Sequence, residues 1–416
     1  MAVRCEVQIL VLASFVVKAT CLGLKFSFGQ LFAALKSQTG ESAGTLALIG
    51  SSRDFVFHLS NMIAGFAVRK LGYLRMMSAG LLSLVASLLL DSIAPGTRWL
   101  FISYSLLSGI SLSMLITPAV AVLYEHLKGN QLTIAVHLAS SGLGAGGLFV
   151  NAAMHYSQIE FGWRATQKLS AGACAFLLTF ALLGLWWATR GGARSTSRVA
   201  GTGAPLKRSL SSALKEHGQD LVHPFSELNF VLLCAAYFFF FCGFTVPYTH
   251  LVFYARDVQG YQDAPAMMAR MGAASMLGSL ACGFLPSFCR ASAVLMLVIA
   301  ILSLTIICLP YCHDAMELEA FARLFGTFAG IRLGVQSLVV AEFFGGERLP
   351  HLYGLANLPM SLGSLVGPSV VGAIYDATGS YTLAFWGAGM QMLVAIPLLI
   401  LVRCRSGSAR VAVAVK

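Results

Sequence analysis

Arg190-Gly191-Gly192-Ala193-Arg194-Ser195-Thr196-Ser197-Arg198 begins the stretch whose reading decides the fold. It continues through further Ser, Thr and Gly residues, gathers Lys207-Arg208 and Lys215, and closes with Glu216, Asp220 and Glu227. It offers little to bury and much to hydrate, the composition of a solvated linker. On either side the chain is overwhelmingly apolar. One long polar interruption between two hydrophobic halves predicts two membrane bundles joined by a cytoplasmic loop. The expected organisation is a six-helix bundle over 1–190, a linker over 191–226, a second six-helix bundle over 227–405 and a cytoplasmic tail over 406–416.

The totals point the same way. Of 416 residues, 57% are hydrophobic and only 11% charged, which leaves too little polar surface for a water-soluble globule. A bilayer core of about 30 Å takes a helix of roughly 20 apolar residues, and about twelve such spans fit the chain. In the first half they are 7–35, 44–68, 73–90, 98–123, 131–154 and 165–189. In the second they are 228–253, 265–287, 291–310, 320–343, 352–375 and 381–402. The fold class is an all-α membrane protein.

The net charge of +11 is not a nucleic-acid signal, because the basic residues collect in alternate loops. Arg69, Lys70, Arg75, Lys128, the linker cations, Arg290, Arg348, Arg403 and Arg405 fall on one side. Lys36, Arg98, Arg164, Lys168 and Arg256 fall on the other, beside Glu41, Asp91, Glu160, Asp263, Asp314, Glu317 and Glu319. This positive-inside pattern puts both termini in the cytosol. Most of the ten cysteines lie in apolar spans, and no pair has metal-ligand spacing. Neither a phosphate-binding loop, a nucleophile elbow nor a zinc-ligand pattern occurs, so no enzyme activity, cofactor or metal is expected.

The halves also match each other faintly. A shift of 217 positions (346 minus 129) lays Gly129 and Leu132 on Gly346 and Leu349, and Leu138-Ala139 on Leu355-Ala356. A shift of 218 (283 minus 65) lays Gly65-Phe66 on Gly283-Phe284. Parallel six-helix repeats are the architecture of the major facilitator superfamily. The turn Gly65-Phe66-Ala67-Val68-Arg69-Lys70-Leu71-Gly72-Tyr73-Leu74-Arg75 resembles the basic signature that superfamily members carry after the second helix. The resemblance makes Gly65, Arg69, Lys70, Gly72 and Arg75 a conformational gating turn, although the usual acidic residue is missing.

Four places narrow the likeness. They are Gly367-Pro368-Ser369-Val370-Val371-Gly372-Ala373-Ile374-Tyr375-Asp376-Ala377-Thr378-Gly379, the segment from Tyr124 through the Ala-Ser-Ser-Gly run at Ala139, Gly162-Trp163-Arg164, and Pro247-Tyr248-Thr249-His250-Leu251-Val252. Together they resemble the monocarboxylate transporter family (solute carrier family 16) over nearly the whole chain. The resemblance implies a solute carrier, an accessory single-span glycoprotein as a partner, and Tyr248 and His250 at the substrate. It also implies departures. The family's opening Asp-Gly-Gly-Trp stretch is absent, and the positions of its first-helix Lys and eighth-helix Asp and Arg align with Gln30, Ser275 and Ser279.

Ionisable groups deep in a bilayer are functional candidates by default. At a rise of about 1.5 Å per residue, Lys25 and Asp54 both lie roughly 15 Å from the same face, a depth at which they can meet. Arg53 precedes Asp54 and His58 lies a turn below, so this face is read either as a proton-coupling group or as a structural ion pair. Arg332 lies roughly 20 Å in along the tenth helix and offers a carboxylate a two-toothed fork. The substrate-binding candidates are Arg332, Lys25, Gln30, Tyr248, His250, Ser275 and Ser279.

The expected function is movement of a small organic anion, a monocarboxylate or related amino acid, across the plasma membrane by alternating access. With serines at the aligned acid and arginine positions, facilitated diffusion is favoured over strict proton symport. Two other readings fit the residues less well: a transporter-shaped solute sensor, and a proton-driven drug exporter, which the mainly cationic embedded charge disfavours. The expected partners are therefore the organic anion or amino acid, protons if coupling exists, and the lipid bilayer.

Overall fold

The computed structural model describes residues 2–190, 223–261, 263–282, 290–345 and 349–414. Most of the expected linker, 191–222, lies outside these residues, as do Gly283 and Gly346 of the repeat comparison and Arg348. All elements among the described residues are helical.

In the first half, α1 (Ala2–Phe26) and α2 (Phe28–Thr39) form one span, followed by α3 (Ala43–Leu71) and α4 (Tyr73–Ser92). The short α5 (Thr97–Leu100) runs through a π-helical turn (Phe101–Leu107) into α6 (Ser108–His126). α7 (Gly129–Arg190) holds two spans that turn at Gly162, whose φ of 76° only glycine adopts without strain. A loop was expected there, and a single glycine makes the turn instead.

The second half opens with α8 (Leu228–Phe244) and α9 (Val246–Phe253), again one span, then α10 (Ala264–Ala281) and α11 (Ala291–Cys308). α12 (Ala315–Phe344) and α13 (Leu349–Thr378) follow, and α14 (Thr382–Leu393) with α15 (Ala395–Ala414) makes the last span. Nine stretches among the described residues are long and apolar enough to cross a membrane. One of them, Ile134–Arg190, contains two spans, and α3 and α10 complete the expected twelve.

α3 and α10 are the less apolar helices for a reason visible in their packing. α3 lies against α13, and α10 against α7, so each crosses from one half to the other. Small residues let these backbones approach closely. A Cβ on Gly147 of α7 would stand 2.8 Å from the Cα of Gly272 on α10. One on Gly372 of α13 would stand 2.7 Å from the carbonyl oxygen of Ala43.

The side opposite the linker is sealed by charge as well as by packing. Asp376, near the end of α13, accepts from the N–H of Ala43 at 2.8 Å and of Gly44 at 2.7 Å. These are among the donors that a helix start leaves without intrahelical acceptors, and the carboxylate also complements the positive end of the α3 dipole. Lys36 Nζ stands 4.0 Å from the same carboxylate. The sequence reading passed over Asp376, because its partners lie 333 and 332 residues away.

Candidate functional site

The expected first and seventh spans are continuous, but each is broken in the middle. Ser27 interrupts the first: its hydroxyl donates to Leu24 O at 2.9 Å, and its φ and ψ are −85° and 0°. Thr245 interrupts the seventh, with φ and ψ of −82° and −13°. The two lie 218 positions apart (245 minus 27), one of the shifts that relates the halves. Broken helices at equivalent places in two repeats are how transporters of this architecture build central sites, since an interrupted helix offers unpaired backbone groups and a change of direction.

The break in the first span determines what the charged residues of α3 do. Arg53, 2% exposed, donates from one guanidinium nitrogen to Leu24 O at 3.3 Å and from another to Lys25 O. Its guanidinium also lies 4.3 Å from the ring centre of Tyr104. A cation on the last carbonyls of a helix caps its negative end. Arg53 therefore caps α1, and Asp54 is left to Lys25. Lys25 Nζ is 3.3 Å from Asp54 Oδ2 and 3.5 Å from His58 Nε2. It stands 4.8 Å from the ring centre of Phe57, so one side of the ammonium is electrostatically satisfied by a π face.

Two cavities adjoin this group. The first, of about 10 Å³, is lined from the first half by Ser51, Lys25, Arg53 and Asp54, and from the second by Thr245, Thr249, Ser364 and Tyr248. The second, of about 10 Å³, is lined chiefly by Leu143, Met268 and Met271, with Asn151 and Ser275 at its wall. Phe26 and Tyr248 line both, their ring centres 4.2 Å apart. Each has free room for about one water, so the halves are closed around the centre.

Arg332 is buried at 4% exposure. Its guanidinium donates to Gln336 Oε1 and lies 4.3 Å from the ring centre of Phe244 and 5.3 Å from that of Phe241. Gln336 in turn donates to the thioether of Met360 at 3.0 Å. Arg332 lines neither cavity described here, but it is within electrostatic reach of Lys25, His58 and Tyr248.

The remaining candidates divide. Gln30 donates to Asn151 O at 2.9 Å, and its own carbonyl oxygen has no hydrogen-bond partner among the described residues. Ser275 lines the second cavity with an equally unpartnered hydroxyl. Ser279 is turned away, donating to Met276 O at 2.9 Å. His250 is fully buried, with Nδ1 3.1 Å from Tyr381 Oη and Nε2 2.9 Å from Pro368 O. Both ring nitrogens are engaged within the second half, so the ring ties α9 to α13 and to Tyr381, the residue that precedes α14. In the turn between α3 and α4, Gly72 adopts φ 79° and its N–H closes α3 on Val68 O at 2.9 Å, while Gly65 lies inside the helix with open space around it. Lys70 and Arg75 are exposed; the side chain of Arg69 lies outside the described atoms.

Sequence reasoning missed Thr245, Ser51, Ser364 and Gln336. Thr245 was within reach, because Pro247 marks a helix start just after it and the 218-residue shift lays it on Ser27. Ser51 was not: its hydroxyl lies 3.0 Å from that of Ser369, a contact between halves that no spacing along the chain encodes.

Comparison with known proteins agrees with this architecture. A family model described as Major Facilitator Superfamily matches residues 14–313, and the chain belongs to that superfamily. Within it, the chain is similar to monocarboxylate transporters. Monocarboxylate transporter 13 of Rattus norvegicus is 25% identical over 394 residues, covering 94% of this chain and 87% of the relative. Monocarboxylate transporter 12 of Mus musculus is 25% identical over 341 residues, covering 76% and 68%. An MFS-type transporter of Gibberella moniliformis is 26% identical over 376 residues, covering 88% and 84%.

Proposed function

We propose that this protein carries a small organic anion, a monocarboxylate or a related amino acid, across the plasma membrane by alternating access, with both termini in the cytosol. The observation that carries the reading is the ion pair of buried Lys25 with half-buried Asp54 at the break of the first span, beside a cavity to which both halves contribute. An ion pair out of water is held in place only by its partners. An incoming carboxylate offers Lys25 a second acceptor, and the ammonium of an amino acid offers Asp54 a second donor. Both of these partners belong to the first half; Thr245, Thr249 and Ser364 line the same cavity from the second, so a substrate there engages both halves and its binding shifts their relative stability. Arg332, close enough to act on Lys25 and Tyr248 through its field, makes the centre more cationic and favours anions. The likeness to proteins named monocarboxylate transporters supports the same substrate class.

Transport is facilitative in this reading. Where the resemblance puts an acid and a guanidinium on the eighth helix, this chain has Ser275 and Ser279. Uptake of a labelled monocarboxylate and of an aromatic amino acid, with and without an inward pH gradient, tests it. Uptake indifferent to the gradient is the expected result. Strong stimulation by external acid overturns the facilitative mechanism, and no uptake of either compound overturns the carrier.

A further inference from the structure

We infer that Gln336 is a positioning residue that holds Arg332 behind the wall of the first cavity with its charge uncancelled, and that the centre therefore prefers a carboxylate lacking an ammonium group over the matching amino acid. The inference rests on the carrier reading above and adds what decides between its two substrate classes.

The cation stands one ring back from the cavity. Tyr248 lines that space, Phe244 lies against Tyr248 with ring centres 5.6 Å apart, and the guanidinium of Arg332 is 4.3 Å from the ring centre of Phe244. On a second flank, Phe241 lies 5.3 Å from the guanidinium and stands nearly perpendicular to the ring of His58, with centres 5.7 Å apart. His58 is in turn the neighbour of Lys25. A charge so placed need not touch a ligand in the cavity. It acts on one across packed rings, where screening by salt and water is weak.

Gln336 fixes that placement. It lies one helical turn beyond Arg332 on α12 and is buried. Its carbonyl oxygen accepts from the guanidinium, and its amide donates to the thioether of Met360 on α13 at 3.0 Å. A thioether is a weak acceptor, so this bond orients the amide and brings no charge. The amide and the π faces of Phe240, Phe241 and Phe244 satisfy a guanidinium without neutralising it. A glutamate of the same shape would form a buried ion pair and cancel most of the field. With the field intact, a carboxylate gains its full attraction. In an amino acid the ammonium gives back much of what the carboxylate gains, which turns one remote charge into a preference between substrates.

The test uses the full-length chain in proteoliposomes and a matched pair, 3-phenylpropionate and phenylalanine, which differ only in the ammonium group. Uptake of each labelled compound gives a KM, and the readout is the phenylalanine value divided by the 3-phenylpropionate value. That ratio is expected to exceed one in the unaltered protein. Gln336→Glu should lower it about tenfold, the effect of one unit charge acting across roughly 12 Å of protein. A merely structural defect raises both values together and leaves the ratio where it was. Arg332→Gln, which removes the charge itself, should lower the ratio as well and serves if Gln336→Glu does not fold. An unmoved ratio in the variant, with uptake of both compounds intact, overturns the role of Gln336 and leaves the carrier reading standing. Absence of uptake of both compounds by the unaltered protein, together with no thermal stabilisation by either, overturns both.

Discussion

Lys25, Asp54 and Arg53 show how three adjacent charges take separate roles once their partners are known. Asp54 and Lys25 neutralise each other, while Arg53 serves the backbone. Removing one member of a buried pair strands the other charge at a cost of about 3–5 kcal/mol, whereas removing both is far milder. The double variant Lys25→Met with Asp54→Leu is thus expected to melt higher in detergent than either single variant, and still to lose uptake. A double variant that transports normally makes the pair structural only. Arg53→Gln loses charge-assisted bonds to two carbonyls, a loss of about 3 kcal/mol, and should lower the melting temperature with or without substrate present. These roles were half legible. Depth along the helices brought Lys25 and Asp54 to one level, but the carbonyls that engage Arg53 exist only because the first span breaks at Ser27.

At the scale of elements, the helices that cross between the halves are the ones to perturb. α7 meets α10 through Gly147 and Gly272, and a Cβ on Gly272 would stand 2.3 Å from the carbonyl carbon of Gly147. Backbone on both sides leaves nothing flexible to yield, so overpacking cannot be relieved by a rotamer change. Gly272→Val should reach the membrane and bind poorly to this closed arrangement, cutting uptake at least about tenfold if the closed state is destabilised by 1.4 kcal/mol or more. Surface labelling alongside uptake checks it: normal surface amount with normal flux refutes the seam. Apolar length alone predicted where the spans lie, because period and hydropathy are local. The break at Ser27 was not read, because serine is no helix breaker by type. The break at Thr245 was legible in Pro247 two residues on, which cannot donate to the preceding turn, and was passed over.

Across the whole molecule, closure on the side away from the linker depends on Asp376 meeting the start of α3. The contact joins the halves and has to separate for that side to open. Asp376→Ala removes both backbone bonds and the charge that faces Lys36, so the resting population should move toward opening on that side. A cysteine in place of Ser51, which lies buried across from Ser369, reports it. It should react faster with a membrane-impermeant thiol reagent added outside when Asp376 is alanine. Equal rates would mean that packing alone holds the face shut. Reaction only from the cytosolic side would reverse the proposed orientation.

Composition and hydropathy by themselves determined that the chain is built of membrane-spanning helices, because that depends on how many apolar residues follow one another, and short motifs such as Gly367-Pro368-Ser369 showed which family it resembles. Pairings between distant positions were decided by tertiary structure alone: Asp376 with Ala43 and Gly44, Arg53 with the carbonyls of a broken helix, and Phe26 with Tyr248 as the partition between a charged and an apolar space. Such contacts depend on where two helices cross and on which backbone groups remain unpaired there. That geometry comes into being only when the halves close on each other.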